Sequence, residues 1–266
     1  FSETFASIPV SSDLPANTLF EETDTRNMYF LQSNVWKRTP TTPTNISDLY
    51  AWYDATDITT ITKDGSDRVS KWENKEGTTA RDLVQTTSGN RPLWLSANRN
   101  GKDVIDFSTS STGRFMKTSS VQSDEAQPIS IVVVVEMASN NSVSRDLLQG
   151  HGSSNPFPVF NKASTDDSFG ISMGTRLSWI ETGIADTWQY MTLIYNTTAS
   201  EIRSGGVQKA SGDVGTSVAL PLRVGVSWNN DAFWDAKIMH VVFYNKLLSA
   251  SEIEGLESWA SIPGGV

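Results

Sequence analysis

Three kinds of residue spacing in this chain could carry chemistry. Gly170-Ile171-Ser172-Met173-Gly174 fits the Gly-x-Ser-x-Gly pattern of a hydrolase nucleophile, and Asp186 and His240 follow in the order an esterase uses. That elbow requires a strand, a sharp turn and a helix. Residues 175–180 instead alternate like a second strand, so Ser172 is expected to be a strand residue and no catalytic residue is assigned. Oxygen-rich pairs at Asp64 and Asp67, Asp166 and Asp167, and Asn230 and Asp231 could ligate calcium at a rim. None has the dense acidic spacing of a dedicated loop, and each also reads as a turn. Trp228 with Asn229, Asn230 and Asp231 offers a ring for a sugar's CH face beside amides and a carboxylate for its hydroxyls. His151 lies in a Gly-rich loop where it could touch the same kind of ligand.

Other chemistries are closed off by composition. The chain lacks cysteine, which removes disulfides, thiolate nucleophiles and thiolate metal sites. Its two histidines are too few for a histidine-rich zinc site. His240 sits in an alternating run, expected on the same strand face as Ile238 and Val242, and is read as structural. A net charge of −9 argues against a nucleic-acid partner, which would need a basic surface to release counterions. The longest apolar run, Ile129–Val135, is too short to span a bilayer, so no membrane insertion is expected.

These groups need elements to hold them. Strands are expected near 49–54, 68–73, 103–107, 114–117, 129–137, 157–160, 168–173, 176–181, 188–195, 201–204, 218–226 and 236–245. The helix expected is at 249–261, capped by Ser249 or Ser251, with Ile253, Leu256 and Trp259 on one face. Many strands and one late helix predict an all-β antiparallel sandwich or jelly roll over 46–266. Residues 1–45 read as a separate anchoring or assembly segment. It comprises a three-stranded ribbon over 18–38, with Phe20, Tyr29, Phe30 and Trp36 as its contact aromatics, then an extended Thr/Pro linker at 39–45.

Residues 49–77 carry Trp52, Asp54, Ala55, Asp57, Val69, Ser70, Trp72, Asn74, Lys75 and Gly77 in an order that resembles laminin G-like, concanavalin A-like lectin/glucanase domains. The likeness continues through 91–94, 100–107 and 244–261, so it implies that fold over roughly 49–261. It also implies inward packing for Trp234, whose Trp-Asp-Ala-Lys-Ile run resembles the family's aromatic-Asp-Gly-x-Ile. Glucanases of the fold place catalytic carboxylates at i and i+2 on one strand, in a Glu-x-Asp-x-Glu pattern that this sequence does not contain. Glu252 and Glu254 have the i, i+2 spacing but fall in the helix, where capping and solvation are expected of them. Residues 20–37 resemble hairpins of tail-fibre-like structural proteins of phages and archaeal viruses. Together these imply a non-enzymatic, lectin-like protein on a virion or other extracellular surface. Its expected partners are glycans or a receptor, and identical or neighbouring subunits through the ribbon; it needs no cofactor, calcium being the one the fold admits. A carbohydrate-active hydrolase or lyase, and a purely structural lattice module, are the competing readings.

Overall fold

The computed structural model describes residues 19–21, 28–32, 35–108, 113–119, 125–137, 145–150, 159–162, 168–180, 186–217, 222–226 and 233–261. Strands β1 (Leu19–Glu21), β2 (Met28–Gln32) and β3 (Val35–Arg38) form an antiparallel three-stranded sheet. The main body follows in chain order. Its first half holds β4 (Leu49–Asp54), β5 (Ile61–Lys63), β6 (Val69–Trp72), β7 (Leu83–Val84), β8 (Leu93–Arg99), β9 (Lys102–Asp106), β10 (Met116–Thr118) and β11 (Ile129–Met137). Then come β12 (Arg145–Gly150), β13 (Val159–Lys162), β14 (Ser168–Ser172), β15 (Arg176–Ile180), β16 (Trp188–Tyr195), β17 (Ser200–Ser204), β18 (Val207–Gly212), β19 (Leu222–Val224) and β20 (Ala236–Tyr244). Helix α1 (Ala250–Ser261) closes the described chain.

Two antiparallel sheets face one another. The larger runs β15-β14-β13-β12-β19-β10-β7-β6-β5, and the smaller runs β18-β17-β16-β11-β20-β9-β8 with β4 also paired to β20. Alternation sorts each strand: Ile131, Val133 and Val135 of β11 point into the sandwich with Trp72, Phe107 and Phe160. Trp234 joins this core at 2% exposure, its ring 5.5 Å from Phe160, as its family-like context implies. Trp179 is 7% exposed, its ring 5.1 Å from that of Phe169 across β14 and β15.

The opposite face of the small sheet is covered too. Val132, Ile194, Val242 and Tyr244 pack under Ile253 and Leu256 of α1, and Val134 and Met239 pack under Ala260. The helix starts at a capping box: Ser249 Oγ accepts from the Glu252 amide, and a Glu252 carboxylate oxygen accepts from the Ser249 amide.

Three expectations need correction. Residues 39–45 are no extended linker: Pro43 is buried in a 3-10 turn, the Thr41 amide donates to Gly255 O, and the Tyr244 hydroxyl donates to Pro43 O. The segment therefore straps α1 onto the sheet, and β3 lies against α1 as well. His240 does not share a face with Ile238. A β-bulge at Met239 takes Val134 to His240 but Val135 to Ile238, so His240 turns outward with Val242 while Ile238 points inward. Strands β5, β7, β8, β12 and β18 were not expected; the last five residues of β8 and most of β18 face solvent or lie half-exposed, which blunts their alternation.

If α1 covers the sheet as described, Leu256→Ala should cost about 3 kcal/mol, whereas Leu247→Ala, at an exposed position, should stay within about 0.5 kcal/mol. Urea unfolding of both variants checks this; equal midpoints would contradict it.

Candidate functional site

A groove lies between α1 and the β16–β18 side of the small sheet, with a volume of about 400 Å³. Strand alternation builds its floor. Ser200, Ile202 and Ser204 of β17 point inward and are buried, so Glu201 and Arg203 point outward into the groove, beside Ile194 of β16 and Gln208 of β18. Leu247, Leu248, Ile253 and Glu254 form the facing wall.

Local chemistry holds both walls. At the β16–β17 turn, Ser200 Oγ accepts from the Asn196 amide at 2.8 Å and donates to Thr197 O at 2.8 Å. Gln127 Oε1 accepts from the Thr197 amide, where the backbone has φ 49°. This clamp places Asn196 at the groove's end. On the other side, Ser130 Oγ donates to Lys246 O and accepts from the Leu248 amide, which fixes the loop leading into α1.

Arg203 is the electrostatic centre. Its Nε donates to Glu257 Oε1 at 2.8 Å, its Nη2 donates to Gly206 O at 2.9 Å, and Thr192 Oγ1 donates to the same Glu257 oxygen. The Glu257 hydrogen bond raises the Arg203 pKa against the opposing effect of burial, and the charges of Glu201 and Glu254 add to the rise. The groove therefore presents two carboxylates, Glu201 and Glu254, about a neutralised ion pair, with amides of Asn196 and Gln208 and an apolar wall. That set suits a ligand with many hydroxyls and one apolar face. Glu201 and Arg203 escaped the sequence reading although their i, i+2 spacing put them on one strand face; the signal was incomplete without the helix opposite. Glu254, expected only to solvate α1, lines the groove.

The sequence-derived candidates fare differently. Trp228, Asn229, Asn230, Asp231, His151, Asp166 and Asp167 lie outside the described residues. Asp64 and Asp67 hold the β5–β6 turn. Asp64 accepts from the amides of Ser66 and Arg68 and faces Arg91, and Asp67, at φ 59°, binds Lys63. Among the described residues no three potential ligands gather for a metal ion. Of the ribbon aromatics, Phe20, Tyr29, Phe30 and Trp36 all fall in strands, and Tyr29 is 9% exposed. Ser172 sits in a strand–turn–strand unit of the large sheet whereas His240 is in the small one, so the Gly-x-Ser-x-Gly pattern assembles no triad.

His240 belongs to a second polar cluster. Its Nδ1 stands 3.3 Å from Asp54 Oδ1 and its ring 4.7 Å from Trp259, while neither ring nitrogen completes a well-aligned hydrogen bond. Lys75 bridges Asp54 and Asp57 and lies over Trp52. Burial alone would raise the Asp54 pKa, but His240, Lys75 and the Thr56 hydroxyl together hold it well below the usual carboxylate range. The charged carboxylate thus stabilises the fold fully above the unfolded value of about 3.9, and that stabilisation falls away as pH drops toward the depressed native value. Asp54→Asn should cost about 3 kcal/mol at pH 7, and the difference from the parent should shrink in melts at pH 2. A difference independent of pH would contradict this.

A family model described as the concanavalin A-like lectin/glucanases superfamily matches residues 110–254. Solved structures agree on the fold. Domain 4 of AbnA, a GH43 extracellular arabinanase from Geobacillus stearothermophilus in complex with arabinotriose, superposes with a TM-score of 0.54 at 14% identity, over 79% of this chain and 98% of that one. Trypanosoma rangeli sialidase gives a TM-score of 0.52 at 11% identity, over 90% of this chain. The chain spans only 44% of that sialidase. No curated protein matches the sequence, and none of these findings extends to the likeness of residues 20–37 to viral hairpins. With more than half of its length inside the family match, the chain belongs to the concanavalin A-like lectin/glucanases superfamily.

Proposed function

We propose that this chain is a non-enzymatic carbohydrate-binding domain that takes a neutral oligosaccharide in the groove beside α1, without a cofactor. The observation that carries the reading is the groove's lining. Glu201 and Glu254 can each accept from vicinal hydroxyls, Asn196 and Gln208 can donate and accept, and Leu247, Leu248 and Ile253 offer an apolar wall. Glu257, a third carboxylate, is engaged by Arg203 and Thr192 and serves as floor. The similarity to a domain crystallised with arabinotriose supports a sugar ligand through the shared fold.

The proposal includes display on a virion or other extracellular surface, with the ribbon meeting neighbouring subunits. Among the described residues β1 pairs only with β2, and Leu19 on it is 64% exposed, whereas β3 is turned to α1 of its own chain. An unpaired strand edge of this kind is a template for a strand from another chain.

A glycan array followed by calorimetry tests the groove. A neutral oligosaccharide should bind, Glu201→Gln and Glu254→Gln should each weaken it roughly tenfold as a charge-assisted hydrogen bond is lost, and no reducing ends should be released. Binding untouched by both variants would move the site elsewhere, and turnover of the bound glycan would replace the lectin reading with a hydrolase.

A further inference from the structure

The outer face of the small sheet continues beyond the groove. Along β16 it runs past the Arg203–Glu257 pair to the other end of the strand. Thr192, Tyr190 and Trp188 alternate onto this face, with Tyr190 paired to Val134 and Trp188 to Glu136 of β11. Lys237 of β20 pairs with Glu136 from the other side and donates to its carboxylate. Tyr190 and Trp188 are half-buried, packed against Val104, Val134, Met239 and Ala260.

A hairpin brings a cation to this end from across the sheet. β8 and β16 stand four strands apart in the sheet order. Between Leu95 and Arg99 the register of β8 against β9 shifts, Ala97 takes φ 50°, and Asp103 Oδ1 accepts from the Ala97 amide at 3.0 Å. A bulge of this kind bends its strand. Asn100 and Gly101, at φ 47° and 78°, close the hairpin tightly, and Arg99 pairs with Lys102 across it. The bend lays Arg99 back over the sheet, its guanidinium 4.8 Å from the centroid of the Trp188 ring.

Arg203 shows how this chain satisfies a guanidinium: Nε donates to Glu257 Oε1 and Nη2 to Glu257 Oε2, a two-point fork. Among the described residues the Arg99 side chain donates no hydrogen bond. Its Nη1 is buried without an acceptor, and burial lowers its pKa. The carboxylate whose charge opposes that fall, Glu136, is already bonded to Lys237. Nε and Nη2, the edge that Arg203 turns to Glu257, are neither buried nor bonded. A half-buried charge left without an acceptor is costly to keep. The Tyr190 hydroxyl, one pleat repeat from Trp188, also bonds to nothing among the described residues. A Cβ at Gly206 would stand 3.2 Å from that oxygen, so the glycine keeps the space beside it.

We propose that Arg99, held on Trp188, is a subsite for the carboxylate of a uronate-type sugar. The two coplanar oxygens of a carboxylate match the Nε and Nη2 edge, and the Trp188 ring fixes the plane of the fork in advance. Lys237 and Glu136 neutralise one another, so the site offers a single positive charge and suits a monocarboxylate rather than a polyanion. The Tyr190 hydroxyl can meet a hydroxyl of the same sugar. None of these residues lines the groove, so the subsite does not depend on the groove reading.

Calorimetry with trigalacturonate and with its fully methyl-esterified form tests the subsite. The acid should bind, and the ester should bind at least about tenfold more weakly, as the charged fork is lost. Arg99→Met should reduce affinity for the acid to that for the ester, and Arg99→Lys, which keeps the charge without the fork, should fall between. Arg99→Met should melt within a few degrees of the parent, since no hydrogen bond goes with it. A merely structural Arg99 would instead lower the melting temperature and leave trigalacturonate affinity alone. Arg99→Met should leave neutral-oligosaccharide binding as it was, and Glu201→Gln should leave trigalacturonate binding as it was, so the two sites fail separately. No binding of the acid, equal binding of acid and ester, parental affinity in Arg99→Met, or inorganic sulfate bound as tightly as the trimer would overturn the proposal.

Discussion

Strand β11 is buried on both faces, and the rest of the molecule follows from that. Ile131, Val133 and Val135 point into the sandwich, while Val132 and Val134 point the other way, and all five are at 0% exposure. A sheet with an apolar outer face must be covered. Here α1 does it, strapped down by the Thr41–Gly255 and Tyr244–Pro43 hydrogen bonds and seated by Ile46. Even the polar residue on that face, Ser130, is satisfied by the loop entering α1. A 12-residue helix is about 18 Å long and about 10 Å wide, whereas seven strands side by side span about 30 Å. The cover is therefore too small for the sheet, and the uncovered strip over β16–β18 becomes the groove.

Packing thus generates a concavity whose polar lining is free to specialise. Glu201 and Arg203 are outward residues of β17 with no core duty, and Glu254 lies on the exposed flank of α1.

Much of the fold was legible in the sequence. β11 stood out as an unbroken β-branched run, and Ser249 with Glu252 marked the start of α1. Trp234 packs inward as the family resemblance implied, and the three ribbon strands fell where the pattern put them. What failed did so for physical reasons. The outward turn of His240 depends on one inserted residue, Met239, that leaves no mark on composition. The strap at 39–46 reads as linker because Thr and Pro dominate it, and only the helix it touches reveals its role. The site residues were the least legible. Glu201 and Glu254 meet across a helix–sheet seam, which no local window contains. Spacing rules see one element at a time, and these sites belong to several.

The most direct test of the account is a crystal structure of the chain with a bound neutral oligosaccharide. The account predicts density between α1 and β17, in contact with Glu201 and with Asn196 or Gln208. Density seated on residues 227–231 or at His151, with the groove beside α1 left to solvent, would contradict it.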